Sequence, residues 1–238
     1  CNIYYIQLGQ RVGSQTFYNY FDAFGFTSRT GVDLPSETGF MQYYKANQLG
    51  EVQLASSAFG QAMAITPRQR CAAGAAAVNG GYRVTPHVVD KITDANGNVI
   101  EEIGANVRRQ VISESTSNVI RQIMEYEVGN GTGGGKYAYV SGYRIGGKSG
   151  TSEQLNMDRR ADGDYKKVAS FAAVLPADDP EIIVYVMLDD PNNARTDYSS
   201  LLAAPVVGNI ISEIAPYLGI AADGEDRSQT VVTVPNLV

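Results

Sequence analysis

Apolar and polar positions along this 238-residue chain alternate in two ways, helical in the first half and strand-like in the second. Ile3 to Val12 reads as a short amphipathic helix ending near Gly13, and Thr16 to Phe24 as another, stopped by Gly25. A third helix is fully punctuated: Thr66 as N-cap, Pro67 at the first helical position, an Ala-rich body through Val78, then Gly80-Gly81. Val88 to Thr93 and Asn98 to Ile103 flank Asn96-Gly97, the dipeptide of tight hairpins. A fourth helix starts at the Ser113 cap, carries Val119, Ile120, Ile123 and Met124 on one face, and closes at Gly129. After the glycine-rich loop Gly129 to Gly135 come three strands, Tyr143 to Glu153, Val168 to Leu175 and Glu181 to Leu188. The last two alternate imperfectly, as strands buried on both faces do. The tight turn Pro176 to Pro180 makes them antiparallel neighbours. A final helix is expected from Ser200 to Tyr217 with Pro205 in its first turn, where a missing N–H is tolerated. The order is helices, then an antiparallel meander, then one helix packed on it: an α+β architecture with helices segregated from the sheet.

Charge and composition narrow the function. A net charge of -6 argues against a nucleic-acid partner, which would need clustered Lys and Arg. We read no apolar run as approaching a membrane span and no signal peptide. The chain opens at Cys1 without Met, so we expect it to be part of a longer product. From residue 219 to 230 the composition turns polar and reads as a linker. Residues 231 to 238 are apolar again, like the opening of another module.

The chemistry concentrates in Gly142-Tyr143-Arg144-Ile145-Gly146-Gly147-Lys148-Ser149. That string satisfies G-x-x-x-x-G-K-[ST], the phosphate loop of nucleotide hydrolases. A phosphate loop needs a helix starting at the Lys-Ser pair, so that N–H groups face the phosphates. Here Gly150 follows at once, and the polar stretch to Lys167 lacks a helical apolar period. Read two residues further, Lys148-Ser149-Gly150-Thr151 is a Lys-[ST]-Gly-Thr box on a strand, a signature of serine enzymes that recognise penicillin.

Other landmarks stand in order around it: Cys1-Asn2 before a helix, Gly31-Val32-Asp33-Leu34-Pro35, Phe59-Gly60-Gln61, Thr66-Pro67-Arg68-Gln69, Asn79-Gly80-Gly81-Tyr82, Thr85-Pro86-His87 and Ala203-Ala204-Pro205. Over residues 1 to about 218 the chain closely resembles the transpeptidase domain of class B penicillin-binding proteins. Val234-Pro235-Asn236-Leu237-Val238 looks like the start of a PASTA module. The resemblance implies the fold shared by these proteins and serine β-lactamases, an antiparallel sheet flanked by helices. It also implies a D,D-transpeptidase that crosslinks peptidoglycan stem peptides ending in D-Ala-D-Ala, through an acyl-serine that β-lactams also form.

The resemblance also shows what this chain does not carry. No Ser-x-x-Lys occurs in it, and the Ser-x-Asn motif survives only as Cys1-Asn2. The chain alone is therefore expected to be inactive, and its partners include the N-terminal half of the same domain. A membrane glycosyltransferase partner, an N-terminal anchor and a place on the extracytoplasmic face of the membrane are implied as well. Two departures are visible: Ser149 replaces the commoner threonine, and Ala62 follows Phe59-Gly60-Gln61 where glycine is usual.

Carried over residue by residue, the resemblance makes Asn2, Lys148 and Thr151 catalytic. Lys148 would attract the substrate carboxylate and lower the pKa of nearby groups. Ser149 and Thr151 would hydrogen-bond that carboxylate, and the Thr151 N–H would be one oxyanion donor. Ser149, Gly150, Thr151 and Ser152 would bind substrate as an added strand. Asn2 would hold the lysine of the absent motif and the substrate amide, though it also reads as a helix cap. His87 reads as structural, because nothing nearby completes a triad.

No cofactor is implied. Cys1 and Cys71 leave three alternatives: separate thiols, a disulfide, or two ligands of a zinc site completed by Asp22, His87 or a residue outside the chain. Other functions also stay open: a penicillin sensor or β-lactamase relative, and a non-catalytic module that only recognises cell-wall fragments.

Overall fold

The computed structural model describes residues 1–39, 41–129, 133–154, 157–161, 163–191 and 198–223. The chain divides into two compact units, one of residues 1–76 and 81–113, the other of residues 77–80 and 114–238.

In the first unit, α1 (Asn2–Val12) and α2 (Ser14–Ala23) turn about Gly13, whose φ is 79°. Helix α3 (Glu51–Ala58) was not predicted. It packs against α1 so closely that a Cβ on Gly9 would stand 2.5 Å from the Ala58 Cβ. Aromatic rings make the core here, with Phe21 centred 4.9 Å from Phe26 and 5.5 Å from Tyr43.

Helix α4 (Pro67–Val78) begins as predicted. Its cap is reciprocal: the Gln69 N–H donates to Thr66 Oγ1, and the Thr66 N–H donates to Gln69 Oε1. The Gln69 side chain is 3% exposed and its Nε2 donates to the Ser28 carbonyl at 2.8 Å. That ties α4 to the turn after α2 and explains why glutamine stands at this landmark.

Two small sheets complete the unit. Strands β1 (Tyr82–Thr85) and β4 (Asn106–Gln110) pair antiparallel, as do β2 (Lys91–Thr93) and β3 (Val99–Glu102). The predicted hairpin is present but shorter than expected. Asp33 anchors its base: the Val88 and Val89 N–H groups donate to its two carboxylate oxygens at 2.8 and 2.9 Å. Glu37 braces the same loop, accepting from the Thr30 N–H and hydroxyl and the Gly31 N–H.

The bonds from Val89 and then Val88 hold the Asp33 carboxyl below the usual carboxylate range. Burial pushes Glu37 up, but the hydrogen bonds from Thr30 and Gly31 outweigh it and leave that carboxyl low too. A carboxylate with a lower pKa folded than unfolded stabilises the fold at neutral pH, and this is lost as pH falls through the folded pKa. Stability should therefore decline as pH drops below about 4. Asp33→Asn should be less stable than wild type at pH 7, and the gap should narrow as pH falls below about 4, read from urea midpoints. A constant gap across that range would sink the idea.

The backbone at Ala62 shows why glycine is the usual residue there. Its φ is 60°, in the left-handed region that glycine adopts freely. The strain costs about 1 kcal/mol for alanine, part of which the unfolded-chain entropy of glycine offsets. Ala62→Gly should raise the melting temperature by a few degrees; a lower one would show that the loop does not strain Ala62.

The second unit is the predicted meander under one helix. Helix α5 runs Glu114–Gly129, followed by a 3₁₀ turn at Gly134–Ala138. Of the glycine-rich loop, the described end packs tightly on α5: a Cβ on Gly133 would meet the Glu127 carbonyl at 2.4 Å, and one on Gly135 would meet it at 2.8 Å. Strands β5 (Gly146–Glu153), β6 (Lys167–Leu175) and β7 (Ile182–Asp189) follow in that spatial order, antiparallel throughout.

Helix α6 (Ser199–Tyr217) covers one face of the sheet, and Ala203, Ala204, Val207, Ile211 and Ala215 are fully buried with Phe171, Ala173 and Leu175. It starts one residue earlier than predicted, and Pro205 lies inside the helix, in its second turn, not in its first turn as expected. It is also long and apolar enough to cross a membrane, contrary to the composition reading, yet it serves as a core helix. Of the expected linker, Ile220 is buried and the Asp223 N–H donates to the Gly142 carbonyl, so these residues belong to the packed unit. The rest of the linker and residues 231–238 lie outside the described residues.

Candidate active site

Strand β5 holds the box. Gly147 has no room for a side chain, since a Cβ there would stand 2.5 Å from the Phe171 ring, and Gly146 is tight, since one there would stand 3.1 Å from Met124 Cβ. Phe171 is completely buried and cannot yield, so the glycines let α5 and the core close around the start of the strand. From Lys148 onward the strand is exposed or half-buried. Among the described residues β5 pairs only with β6, in the register Lys148↔Ala172, Ser149↔Phe171, Gly150↔Ser170 and Thr151↔Ala169. Its other edge can take an added strand.

The side chains of the box are arranged as follows. Lys148 is exposed, and its Nζ donates to the Ser149 carbonyl at 2.6 Å. The Ser170 hydroxyl donates to the Gly150 carbonyl at 3.2 Å. Thr151 Oγ1 lies 3.0 Å from Ser199 Oγ, and the Ser199 N–H points at the same oxygen from 3.4 Å. Ser199 is 3% exposed and is the first residue of α6. The strand that continues to Glu153 leaves no helix after the Lys-Ser pair, so the phosphate-loop reading has no structural support.

The structure thus brings Lys148, Ser149, Gly150, Thr151 and Ser152 together on one edge strand. Asn2 opens α1 in the other unit and is exposed. Ser199 and Ser170 are absent from the residues the sequence nominated. Ser199 sits 48 positions from Thr151, and only a cap-like serine before Ala203-Ala204-Pro205 could have pointed to it.

The cysteine alternatives also resolve in part. Cys1 and Cys71 are both free thiols, Cys1 exposed and Cys71 half-buried in α4. Burial pushes the Cys71 thiol up, away from thiolate chemistry. Among the described residues no three His, Cys, Asp or Glu side chains gather as metal ligands. Asp22 instead accepts from the Thr27 hydroxyl, and His87 Nδ1 bonds the Val89 carbonyl.

Residues 1–212 match the penicillin binding protein transpeptidase domain family. The chain belongs to that family, as part of a class B transpeptidase domain. It is 38% identical to Stage V sporulation protein D of Bacillus subtilis over 222 residues, covering 92% of this chain and 33% of that protein. It is 33% identical to a probable peptidoglycan D,D-transpeptidase FtsI of Caulobacter vibrioides over 245 residues, covering 99% of this chain and 38% of that one. Among solved structures, penicillin binding protein 3 of Mycobacterium tuberculosis in complex with aztreonam superposes with a TM-score of 0.79 at 28% identity, over 95% of this chain and 51% of that one. The chain therefore spans about a third of the length of these curated relatives. The penicillin-binding fold expected from the sequence is the fold observed.

Proposed function

We propose that this chain is the C-terminal portion of a peptidoglycan D,D-transpeptidase. The full protein would crosslink stem peptides ending in D-Ala-D-Ala and be acylated by β-lactams at a serine outside this chain. The observation that carries the reading is the edge strand β5, which presents Lys148, Ser149, Gly150 and Thr151 beside an edge that no other strand pairs with among the described residues. An extended peptide can join that edge through main-chain hydrogen bonds, while the exposed ammonium and hydroxyls meet its terminal carboxylate. The Thr151 N–H would be one oxyanion donor, and Asn2 would act from the second motif on the substrate amide. By itself the chain, with no Ser-x-x-Lys, would be inactive. It would work with the other half of its domain, on the extracytoplasmic face of the membrane, anchored by an N-terminal segment and served by a membrane glycosyltransferase. The PASTA reading of residues 231–238 belongs to this proposal too.

The test is to expose the full-length protein to a fluorescent penicillin and then denature it. A covalent band, lost on prior incubation with unlabelled penicillin, supports the acyl-serine reading. No band from a protein shown to be folded would favour a module that only recognises wall fragments.

A further inference from the structure

Thr151 and Ser199 form a pair of hydroxyls, 3.0 Å apart, whose direction is free to reverse. Each oxygen can donate one proton and accept. Ser199 is 3% exposed, and Thr151 is its one side-chain hydrogen-bond partner among the described residues. Its N–H, at the free start of α6, also points at Thr151 Oγ1 from 3.4 Å. If Thr151 donates to Ser199, its proton points into the protein. If Ser199 donates to Thr151, the Thr151 oxygen accepts from both the hydroxyl and the N–H of Ser199, and its own proton is freed to point outward.

We infer that Ser199 is a positioning residue that turns the Thr151 hydroxyl outward when a carboxylate occupies the β5 edge. This rests on the transpeptidase reading of β5. No proton changes owner: both hydroxyls rotate, and each keeps its own hydrogen. The resulting chain runs Ser199 to Thr151 to carboxylate, and a negative charge at its end strengthens each link. Buried Ser199 loses nothing by the reversal, because Thr151 is its partner in both directions. The pair thus favours ligands that carry a carboxylate where Thr151 reaches them.

The test is a double-mutant cycle on the full-length protein, reading the second-order acylation rate with a penicillin. Ser199→Ala should lower that rate about five- to tenfold, the weight of one hydrogen bond to a charged chain, while the melting temperature falls by only a few degrees, so that the protein stays folded at the assay temperature. In a Thr151→Ala background the same change should have no further effect, because Ser199 acts through Thr151. Ser199→Gly should repeat the result, so that an ill-folded Ala variant does not decide the matter. A wild-type rate in both Ser199 variants overturns the inference, and so does an equal loss in the Thr151→Ala background. A wild-type protein that is never acylated fails differently, because it removes the transpeptidase reading itself.

Discussion

Replacing Lys148 by alanine in the full-length protein should lower the acylation rate with a penicillin about 100-fold, without moving the melting temperature. The stability half follows from the contacts. Lys148 is exposed, and among the described residues its ammonium bonds only the carbonyl of its own neighbour Ser149. Exposed changes of this kind stay within about 0.5 kcal/mol. The rate half follows from charge. A ligand carboxylate about 4 Å from an ammonium gains about 4 kcal/mol at an effective dielectric constant of about 20. Solvent around this exposed strand screens part of that, and about 2–3 kcal/mol remains where the bound ligand itself excludes water, the weight of a hydrogen bond between charged groups, which is about 100-fold in rate. Lys148→Arg should fall between, because guanidinium keeps the charge but not the compact geometry of an ammonium. A loss below threefold in Lys148→Ala would detach the box from the chemistry.

The box could be read because its residues are contiguous and a strand presents them in one row. Helices with strong stops could be read for a similar reason: Thr66-Pro67 and Gly80-Gly81 mark their ends locally. Strands β1 and β4 could not. They lie 20 residues apart and pair across a bulge, and the five residues Asn106 to Gln110 are all exposed, so no apolar period marks them. Helix α3 buries only Leu54 and Ser57, too little to signal a face. The landmarks Asp33 and Gln69 stood out as text, but their work is hydrogen bonding to backbone groups 55 and 41 residues away. Ser199 is hidden for the same reason, since its partner lies on another element. Sequence pattern reports local periodicity and caps; it is silent on polar groups that find each other only after folding.

The approach to the strand is held by a buried ion pair, and breaking it should have the largest effect on stability. Glu125 on α5 is 6% exposed, and Arg144 grips it with two bonds of 2.7 Å, one from Nε and one from Nη2. Arg144 Nη1 also donates to Asp178. The bonds from Glu125 hold the guanidinium above its already high range, so the arginine is charged at every working pH. Arg144 lies two residues before Gly146, and Met124 on α5 is the side chain that Gly146 admits. The pair thus fastens α5 to the start of β5.

Arg144→Ala leaves the carboxylate of Glu125 buried without its partner, which typically costs 3–5 kcal/mol, and about 3 kcal/mol here because the arginine side is a third exposed to water. Neutralising the orphan should then help. Glu125→Gln in the Arg144→Ala background should recover about half of the loss, whereas Glu125→Gln alone should destabilise. Equilibrium urea unfolding of the four proteins measures the coupling directly. If the two changes simply add, the pair is a surface contact, and the geometry of β5 must be held by packing around Phe171 alone.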